Sequence, residues 1–230
     1  MLFLSRRAIL KVVALVWCSL TLCGCDDGIH TAASTCNPEK VGLLLRDNPN
    51  LVYSRNSFGW TALHSASISN CTDVAKLLLA YKADVDAREN ENGMTPLHYA
   101  AYAGPGYADY TDIAKLLLAH GADVNAEDDY GYTPLHHAAI HNHPAVAKLL
   151  LTNNADINAK DKAGATPLHY SADRHFRGMT ELLLAHGADV NAEGDKGYTP
   201  LHYAELRRWW EDSQAIRNFA ELLRQHGGHE

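Results

Sequence analysis

The sequence lacks the short motifs that mark most enzymes and many metal sites. No nucleophile elbow, Walker loop, HExxH motif or CxxC pair occurs in its 230 residues. It also lacks an excess of positive charge, since the formal net charge is −7. Nucleic-acid binding without sequence preference needs basic groups that face the phosphates. We therefore expect no catalytic residues, no cofactor and no nucleic-acid partner.

The chain also lacks an apolar run of the roughly 20 residues that a membrane-spanning helix needs. The uncharged run from Val12 to Cys25 has 14 residues and follows Arg6, Arg7 and Lys11. A short apolar run behind a positive segment is typical of a signal peptide. The paired arginines are similar to a twin-arginine export signal, and the general export route fits equally well. An uncleaved N-terminal anchor is the alternative.

The run ends in Leu22-Cys23-Gly24-Cys25, which resembles the lipobox of bacterial lipoproteins. The resemblance implies that residues 1–24 are removed and that Cys25 becomes the acylated first residue. More than one acyl chain makes a stable membrane anchor. Asp26 is similar to the residue that keeps many such lipoproteins in the inner membrane. We therefore expect a lipid-anchored protein in the bacterial periplasm, at the inner membrane in preference to the outer.

Five segments of the remaining sequence are versions of one pattern. They read FGWTALHSAS, NGMTPLHYAA, YGYTPLHHAA, AGATPLHYSA and KGYTPLHYAE, and their threonines are 34, 38, 33 and 33 residues apart. This period resembles the ankyrin repeat, and the match covers most of residues 29–228. The resemblance implies an all-α repeat solenoid, an ankyrin-repeat stack of helix-turn-helix units joined by β-hairpin loops.

The recurring positions have local physical roles. The glycine two residues before each threonine allows a tight turn with positive φ. The threonine is suited to begin a helix as its N-cap, and the proline after it loses no needed donor at the first helical position. The second helix of a unit ends near Gly121, Asn154, Gly187 or Lys82, and the lysine predicts a slightly strained or frayed end.

The repeat divides the chain beyond the signal peptide into successive units. Val41, Leu44 and Leu45 match the spacing of the later second helices, and they indicate a degenerate first repeat. The units are residues 25–54 with the anchor residue and an N-terminal capping repeat, then the repeats 55–88, 89–126, 127–159 and 160–192, and an extended C-terminal capping repeat over 193–230.

Two segments depart from the repeat. The insertion GPGYADYTD in the second full repeat offers Tyr107 and Tyr110 to a partner, and tolerated drift is the alternative. In the segment RRWWED of the last repeat, Trp209 and Trp210 cover the open end of the core or form a partner patch.

Two cysteines remain beyond the proposed cleavage site besides Cys25. Cys36 and Cys71 both lie between the helices of neighbouring units. In an oxidising periplasm they could form a disulfide, which would contribute roughly 3–4 kcal/mol to stability. The alternative is that both are small buried apolar side chains.

Most of the 14 histidines fill positions that the ankyrin resemblance explains. It implies that the histidine of each TPLH segment hydrogen-bonds between neighbouring units. His137, His141 and His143 form a separate group, and the first two are four residues apart on one predicted helix. They are weak metal candidates, because no cysteine or carboxylate completes the group locally. A metal- or haem-handling envelope protein is therefore an alternative function.

The ankyrin resemblance implies a binding face made of the loop tips and the exposed side of the first helices. Tyr and Trp are enriched at interface hot spots. The candidates on this face are Phe58, Trp60, Met94, Tyr102, Tyr130, Tyr132, His141, Arg174, Tyr198 and Arg207, with Tyr99, Tyr170 and Tyr203 on the same helices. For these last three tyrosines, packing against the next loop is the alternative.

Acidic residues border the proposed face, namely Glu91, Asp128, Asp129, Asp161 and Asp195. An aromatic stripe rimmed by acids predicts a protein partner with a basic surface. We expect a monomer that acts by binding, either as an immunity factor against a periplasmic toxin or as a scaffold for an envelope enzyme. An ankyrin effector secreted into a host is a further alternative, although the lipobox argues against it.

Overall fold

A computed structural model describes residues 28–102, 110–206 and 214–229 of the protein. Twelve α-helices in these residues, numbered in chain order, alternate between two rows. The inner row holds the first helices α1 (Ile29–Ser34), α3 (Ala62–Ile68), α5 (Pro96–Tyr102), α7 (Pro134–His141), α9 (Pro167–Asp173) and α11 (Pro200–Leu206). The outer row holds the second helices α2 (Pro38–Asp47), α4 (Thr72–Ala80), α6 (Thr111–Ala119), α8 (Pro144–Thr152), α10 (Arg177–Ala185) and α12 (Gln214–Gln225).

The all-α repeat solenoid that the sequence predicts is confirmed. The loops between units have the hydrogen bonds of tight hairpins. In one of them the N–H of Asp128 donates to the carbonyl oxygen of Tyr132 at 2.9 Å, and the N–H of Gly131 donates to Asp128 at 3.0 Å. These loops are too short to form strands, and the described residues contain none.

The first helices begin as their sequence predicts. Thr61, Thr133 and Thr166 are N-caps with extended backbone, and each takes part in a reciprocal capping box with the histidine three residues later. In the first of these the ring Nδ1 of His64 accepts the N–H of Thr61 at 3.0 Å. Each capping box satisfies backbone donors that the first turn would leave unpaired.

The second helices α4, α6, α8 and α10 end in left-handed residues, whereas α2 ends at Asn48 with extended backbone. Gly121 and Gly187 have φ of 85° and 89°, while Asn154 and Lys82 have φ of 65° and 66°. Only glycine takes this conformation without a steric cost, which is roughly 1 kcal/mol or more for a lysine. The sequence therefore located the strained helix end correctly at Lys82.

One apolar core runs along the stack between the two rows. A leucine fills the same fully buried place in successive first helices, at Leu63, Leu97, Leu135, Leu168 and Leu201. Pairs such as Val74 and Leu78 on α4 face it from the outer row. The last repeat has a smaller cluster around Phe219 and Leu223, and Leu184 and Val190 pack against both clusters.

The N-terminal unit follows the repeat more closely than its sequence first indicates. Ile29-His30 precedes Leu63-His64 by 34 residues, which is the spacing between Thr61 and Thr95. Ile29 and His30 are buried, and the Nε2 atom of His30 lies 3.4 Å from the hydroxyl oxygen of Ser54. The unit therefore packs as a repeat, with the short 3₁₀ helix Pro49–Tyr53 leading into the next loop.

A disulfide joins the first two units. Cys36 lies in the turn between α1 and α2, Cys71 lies just before α4, and their Cα atoms are 4.9 Å apart. Within the described residues no helix is both long enough and apolar enough to cross a membrane.

Candidate protein-binding face

An acidic or amide side chain shapes each of several loop tips. Asp128 Oδ1 accepts the N–H groups of Tyr130 and Tyr132 at 2.8 and 2.9 Å. Asp161 makes the same two contacts one repeat later, both at 2.8 Å, and Asn56 makes them at 3.0 Å in the first full repeat. The side chain thereby fixes the backbone that carries the tip residues.

Neighbouring loops are also joined to each other. The N–H of Asn90 donates to the carbonyl oxygen of Phe58 at 3.1 Å, and that of Lys162 donates to Tyr130 at 3.0 Å. The N–H of Asp129 donates to Asn92 at 2.7 Å in the same way, so the first four loop tips form a row held by backbone hydrogen bonds.

The second oxygen of the loop acid binds the adjacent first helix. Asp128 Oδ2 lies 3.0 Å from Nε2 of His137, and the hydroxyl of Tyr170 donates to Asp161 Oδ2. Burial alone would raise the pKa of Asp128, but the hydrogen bonds from His137 and from two backbone N–H groups hold it below its usual value. These buried acids therefore hold a loop tip to the adjacent helix within the fold.

The histidines of the TPLH segments connect each unit to the next. Because Nδ1 accepts the backbone N–H of the capping threonine, the proton lies on Nε2. That Nε2–H donates to a carbonyl of the following loop, from His64 to Met94 at 3.1 Å, His98 to Tyr132 at 2.9 Å, His136 to Ala165 at 3.1 Å and His169 to Tyr198 at 3.0 Å. Burial lowers the pKa of His64 and His136 to about 4 and that of His98 to about 3, so the rings are neutral.

Two aromatic or apolar candidates are not on the surface. Met94 and Tyr99 are only 6% and 5% exposed. The ring of Tyr99 packs 4.6 Å from that of Trp60 and 5.7 Å from that of His64. The expectation that Met94 meets a partner is therefore wrong, because the fold buries it. For Tyr99 the packing alternative holds, although the ring packs on Trp60 of the preceding repeat and not on the next loop.

The acidic rim is also smaller than expected. Asp128 and Asp161 are buried by the contacts described above, and Asp129 pairs with Arg88 at 2.8 Å. Glu91 and Asp195 remain exposed. Exposed lysines lie among them at Lys162 and Lys196, so the border of the face carries both signs of charge.

The remaining candidates form a surface that we call the aromatic face. Tyr130 is 52% exposed, and the other members are partly exposed. The ring of Tyr102 lies 4.4 Å from that of His141, and Tyr198 stacks on His202 at 5.2 Å. The aromatic face comprises Phe58, Trp60, Tyr102, Tyr130, Tyr132, His141, Arg174 and Tyr198.

Several sequence candidates have other positions. Tyr110 is half-buried, and its hydroxyl donates to the carbonyl oxygen of Ile68 at 3.3 Å, so it joins the start of α6 to the preceding unit. Tyr107, Arg207, Trp209 and Trp210 lie outside the described residues, as does Cys25.

The histidine group does not form a metal site. The rings of His137 and His141 are parallel with centroids 6.4 Å apart, and His137 Nε2 is used by Asp128. His143 lies beside Tyr110, at 6.5 Å between ring centroids. Among the described residues no group of three His, Cys, Asp or Glu side chains could hold a metal ion. The geometry therefore gives the metal- or haem-handling alternative no support.

The stacked helix pairs, the histidine links and the row of loop tips define a helical repeat protein with one structured face. The chain belongs to the ankyrin-repeat family. Residues 29–128 and 86–161 match the family described as ankyrin repeats in three copies, and residues 152–204 match ankyrin repeats in many copies. Ankyrin repeats bind other proteins, and they are typically interaction scaffolds without enzymatic activity.

Particular relatives match parts of the chain. A putative ankyrin repeat protein of fowlpox virus is 43% identical over 86 residues, which cover 36% of this chain and 24% of that protein. The Notch-regulated ankyrin repeat-containing protein of Xenopus tropicalis is 37% identical over 71 residues, or 30% of this chain and 61% of the relative. The tyrosine-protein kinase Shark of Drosophila melanogaster is 31% identical over 118 residues, which cover 51% of this chain and 12% of that protein. The chain thus spans less than two thirds of each relative.

Proposed function

We propose that this ankyrin-repeat protein is an exported lipoprotein that binds another protein through its aromatic face. In this proposal residues 1–24 are a signal peptide, Cys25 carries the acyl chains, and the monomeric stack works in the periplasm of a Gram-negative bacterium. The inner membrane is favoured by Asp26.

The observation that carries the binding proposal is the display of Tyr130. Its backbone N–H donates to Asp128 and its carbonyl accepts from Lys162, so its position is fixed, yet its side chain is 52% exposed. A rigid, exposed tyrosine offers a large contact area at a small entropy cost. The ring lies 6.2 Å from that of Tyr132, and its exposed part is open to a partner.

The partner is selected by ring contacts more than by charge in this proposal. The buried state of Asp128 and Asp161 reduces the acidic rim that favours a basic partner. Glu91 and Asp195 together with Lys162 and Lys196 can orient a partner of mixed charge.

Export is supported by two independent features. The sequence carries a short apolar run followed by a lipobox-like segment. The disulfide between Cys36 and Cys71 belongs to an oxidising compartment such as the periplasm. The role is that of an immunity factor against a periplasmic toxin or of a scaffold for an envelope enzyme. A toxin gene or an envelope-enzyme gene beside this one would separate the two.

Site-specific photocrosslinking tests the binding face. We would place p-benzoylphenylalanine at Tyr130 or Tyr198 in the native host, with exposed Lys115 and Lys148 on the outer helices α6 and α8 as controls. A discrete protein adduct from the two tyrosine positions alone is the expected result. Equal adducts from the tyrosine and lysine positions, or none from the tyrosines, would contradict the proposed face.

The export proposal has its own test. Intact mass and fractionation would be measured for the wild type and for Cys25→Ala. Loss of 24 residues, gain of acyl mass and membrane association of the wild type alone are expected. An uncut, cytoplasmic wild type would overturn export and leave the binding face standing.

A further inference from the structure

The proposed anchor is almost directly joined to the folded stack. Only Asp26, Asp27 and Gly28 separate Cys25 from Ile29. Ile29 is 0% exposed and lies in the core of the first unit. Four residue steps reach about 14 Å at most, since an extended chain spans roughly 3.5 Å per residue. An acyl group on Cys25 would therefore hold the first unit within headgroup distance of the bilayer.

The first unit also displays apolar side chains. Leu43 on α2 is 52% exposed and Tyr53 at the end of the 3₁₀ helix is 57% exposed. In the part of the chain that the structure describes, the other exposed large apolar residues are Tyr130 and Leu206. Tyrosine is enriched at the membrane–water boundary, where its ring and its hydroxyl meet different surroundings.

Charge does not drive such a contact. The exposed cations of α2, Lys40 and Arg46, are balanced by the exposed acids Glu39 and Asp47. A contact with lipid would depend on the anchor and on the apolar side chains, so it would change little with added salt.

The disulfide reinforces this end of the stack. A terminal repeat contacts only one neighbour and is the unit that detaches most easily. The bond between Cys36 and Cys71 joins the first unit covalently to the second. Any load applied through the anchor therefore reaches the whole stack.

We infer that the N-terminal unit, residues 28–54, is a membrane-contacting base, with Leu43 and Tyr53 at the lipid surface. The short connection between Cys25 and Ile29 holds it there. This inference rests on the proposed acylation of Cys25. Its partner is a lipid surface, and it gives the exposed apolar residues of the first unit a function separate from that of the aromatic face.

Photocrosslinking to lipid tests the inference. The acylated full-length protein would be reconstituted in phosphatidylethanolamine–phosphatidylglycerol vesicles with p-benzoylphenylalanine at one position at a time. Leu43 is matched with Leu206, which is 46% exposed, and Tyr53 is matched with Tyr130. We expect lipid adducts, read by intact mass, at positions 43 and 53 and background levels at 206 and 130.

A second variant tests the missing linker. A flexible Gly-Ser segment inserted between Asp27 and Gly28 keeps the anchor and lengthens the tether. Adducts at positions 43 and 53 are then expected to fall towards background, and unchanged adducts would overturn the inference. Equal labelling at all four positions of the acylated protein would also overturn it, while the anchor would stand. A protein without acyl mass would overturn both.

Discussion

The loop at residues 128–132 and the loop at residues 194–198 are closed by the same backbone hydrogen bond but have different side chains. In both, the first residue donates its N–H to the carbonyl oxygen of the last, at 2.9 Å in one and 3.0 Å in the other. Asp128 holds the first tip with its carboxylate. Gly194 occupies the same position in the second, where Lys196 takes a left-handed φ of 60° and the N–H of Tyr198 turns to Asp195 at 3.2 Å.

The difference shows what the loop acid does. With Asp128 present, one side chain ties the loop tip to the first helix through His137. Gly194 in its place has no side chain with which to hold Tyr203, the residue that corresponds to His137. The acid therefore builds the tip, and the residue two positions later is displayed by it.

The largest expected effect concerns the histidine links, which end at the last loop. The pKa of His64, His98 and His136 is lowered by burial from 6.5 to about 4, 3 and 4. The unfolded state binds more protons below pH 6.5, so stability is present above that pH and is lost as pH falls towards 4. Protonating one such ring costs roughly 3 kcal/mol, and three together match a typical domain stability of about 5–15 kcal/mol.

Helicity measured against pH is therefore expected to drop cooperatively between pH 6.5 and about 4. His202→Gln is the control, because this half-buried residue of α11 has no later TPLH unit to join. It should leave the acid midpoint unchanged. A stack that stays folded at pH 4 would contradict the buried neutral histidines.

The next effect comes from breaking the loop acid. Asp128→Ala leaves two backbone N–H groups and His137 without their acceptor. We expect a loss of about 2–4 kcal/mol in unfolding free energy, measured by urea denaturation. Asp128→Asn should lose less, because Asn56 holds its own loop with an amide oxygen. Equal losses from the two variants would show that the accepted N–H bonds do not matter.

The reverse change should strengthen the weak loop. A Cβ atom at Gly194 would meet its nearest neighbours at 3.5 Å, and its φ of −92° suits any residue. Gly194→Asp is expected to add about 0.5–1 kcal/mol of stability, because a carboxylate could accept N–H groups there as Asp128 does. Gly197→Ala, at a φ of 72°, should instead destabilise the same loop. A stabilising effect of both would contradict the assigned turn geometry.

The smallest expected change in stability concerns Asp86 and Asn125, which occupy equivalent positions in two successive repeats. Asn125 accepts the N–H of Asp156 at 2.8 Å and donates to the carbonyl of Asn154 at 3.3 Å, whereas Asp86 accepts from Asp123 at 3.0 Å and has no amide to donate. Burial raises the pKa of Asp86. Asp86→Asn should therefore gain about 0.5 kcal/mol in thermal or urea unfolding, and Asn125→Asp should lose a similar amount. A loss of stability in Asp86→Asn, or a gain in Asn125→Asp, would contradict these side-chain roles.

The parts of the fold that depend on local sequence were predictable. The turn glycines, the threonine caps and the left-handed end at Lys82 all follow from one residue and its near neighbours. The burial of Met94 and Tyr99 was not, because it depends on packing between repeats.

The loop acids were misread for a related reason. Acidic residues such as Asp128 and Asp161 are usually exposed, and so they were assigned to the surface. Their partners His137 and Tyr170 lie nine residues away on the next helix. A recurring acid nine residues before a His or Tyr was the signal that could have revealed them. The Ile29-His30 pair carried a similar signal at the repeat spacing.

Comparison of Asp128→Ala with Tyr130→Ala tests the central claim most directly, since one residue builds the face and the other is displayed by it. Unfolding free energy and the crosslink from position 198 to the partner would be measured for both. We predict that Tyr130→Ala changes stability by less than about 0.5 kcal/mol and abolishes the adduct, while Asp128→Ala lowers stability. A Tyr130→Ala protein that keeps the adduct, or that unfolds as readily as Asp128→Ala, would contradict the account.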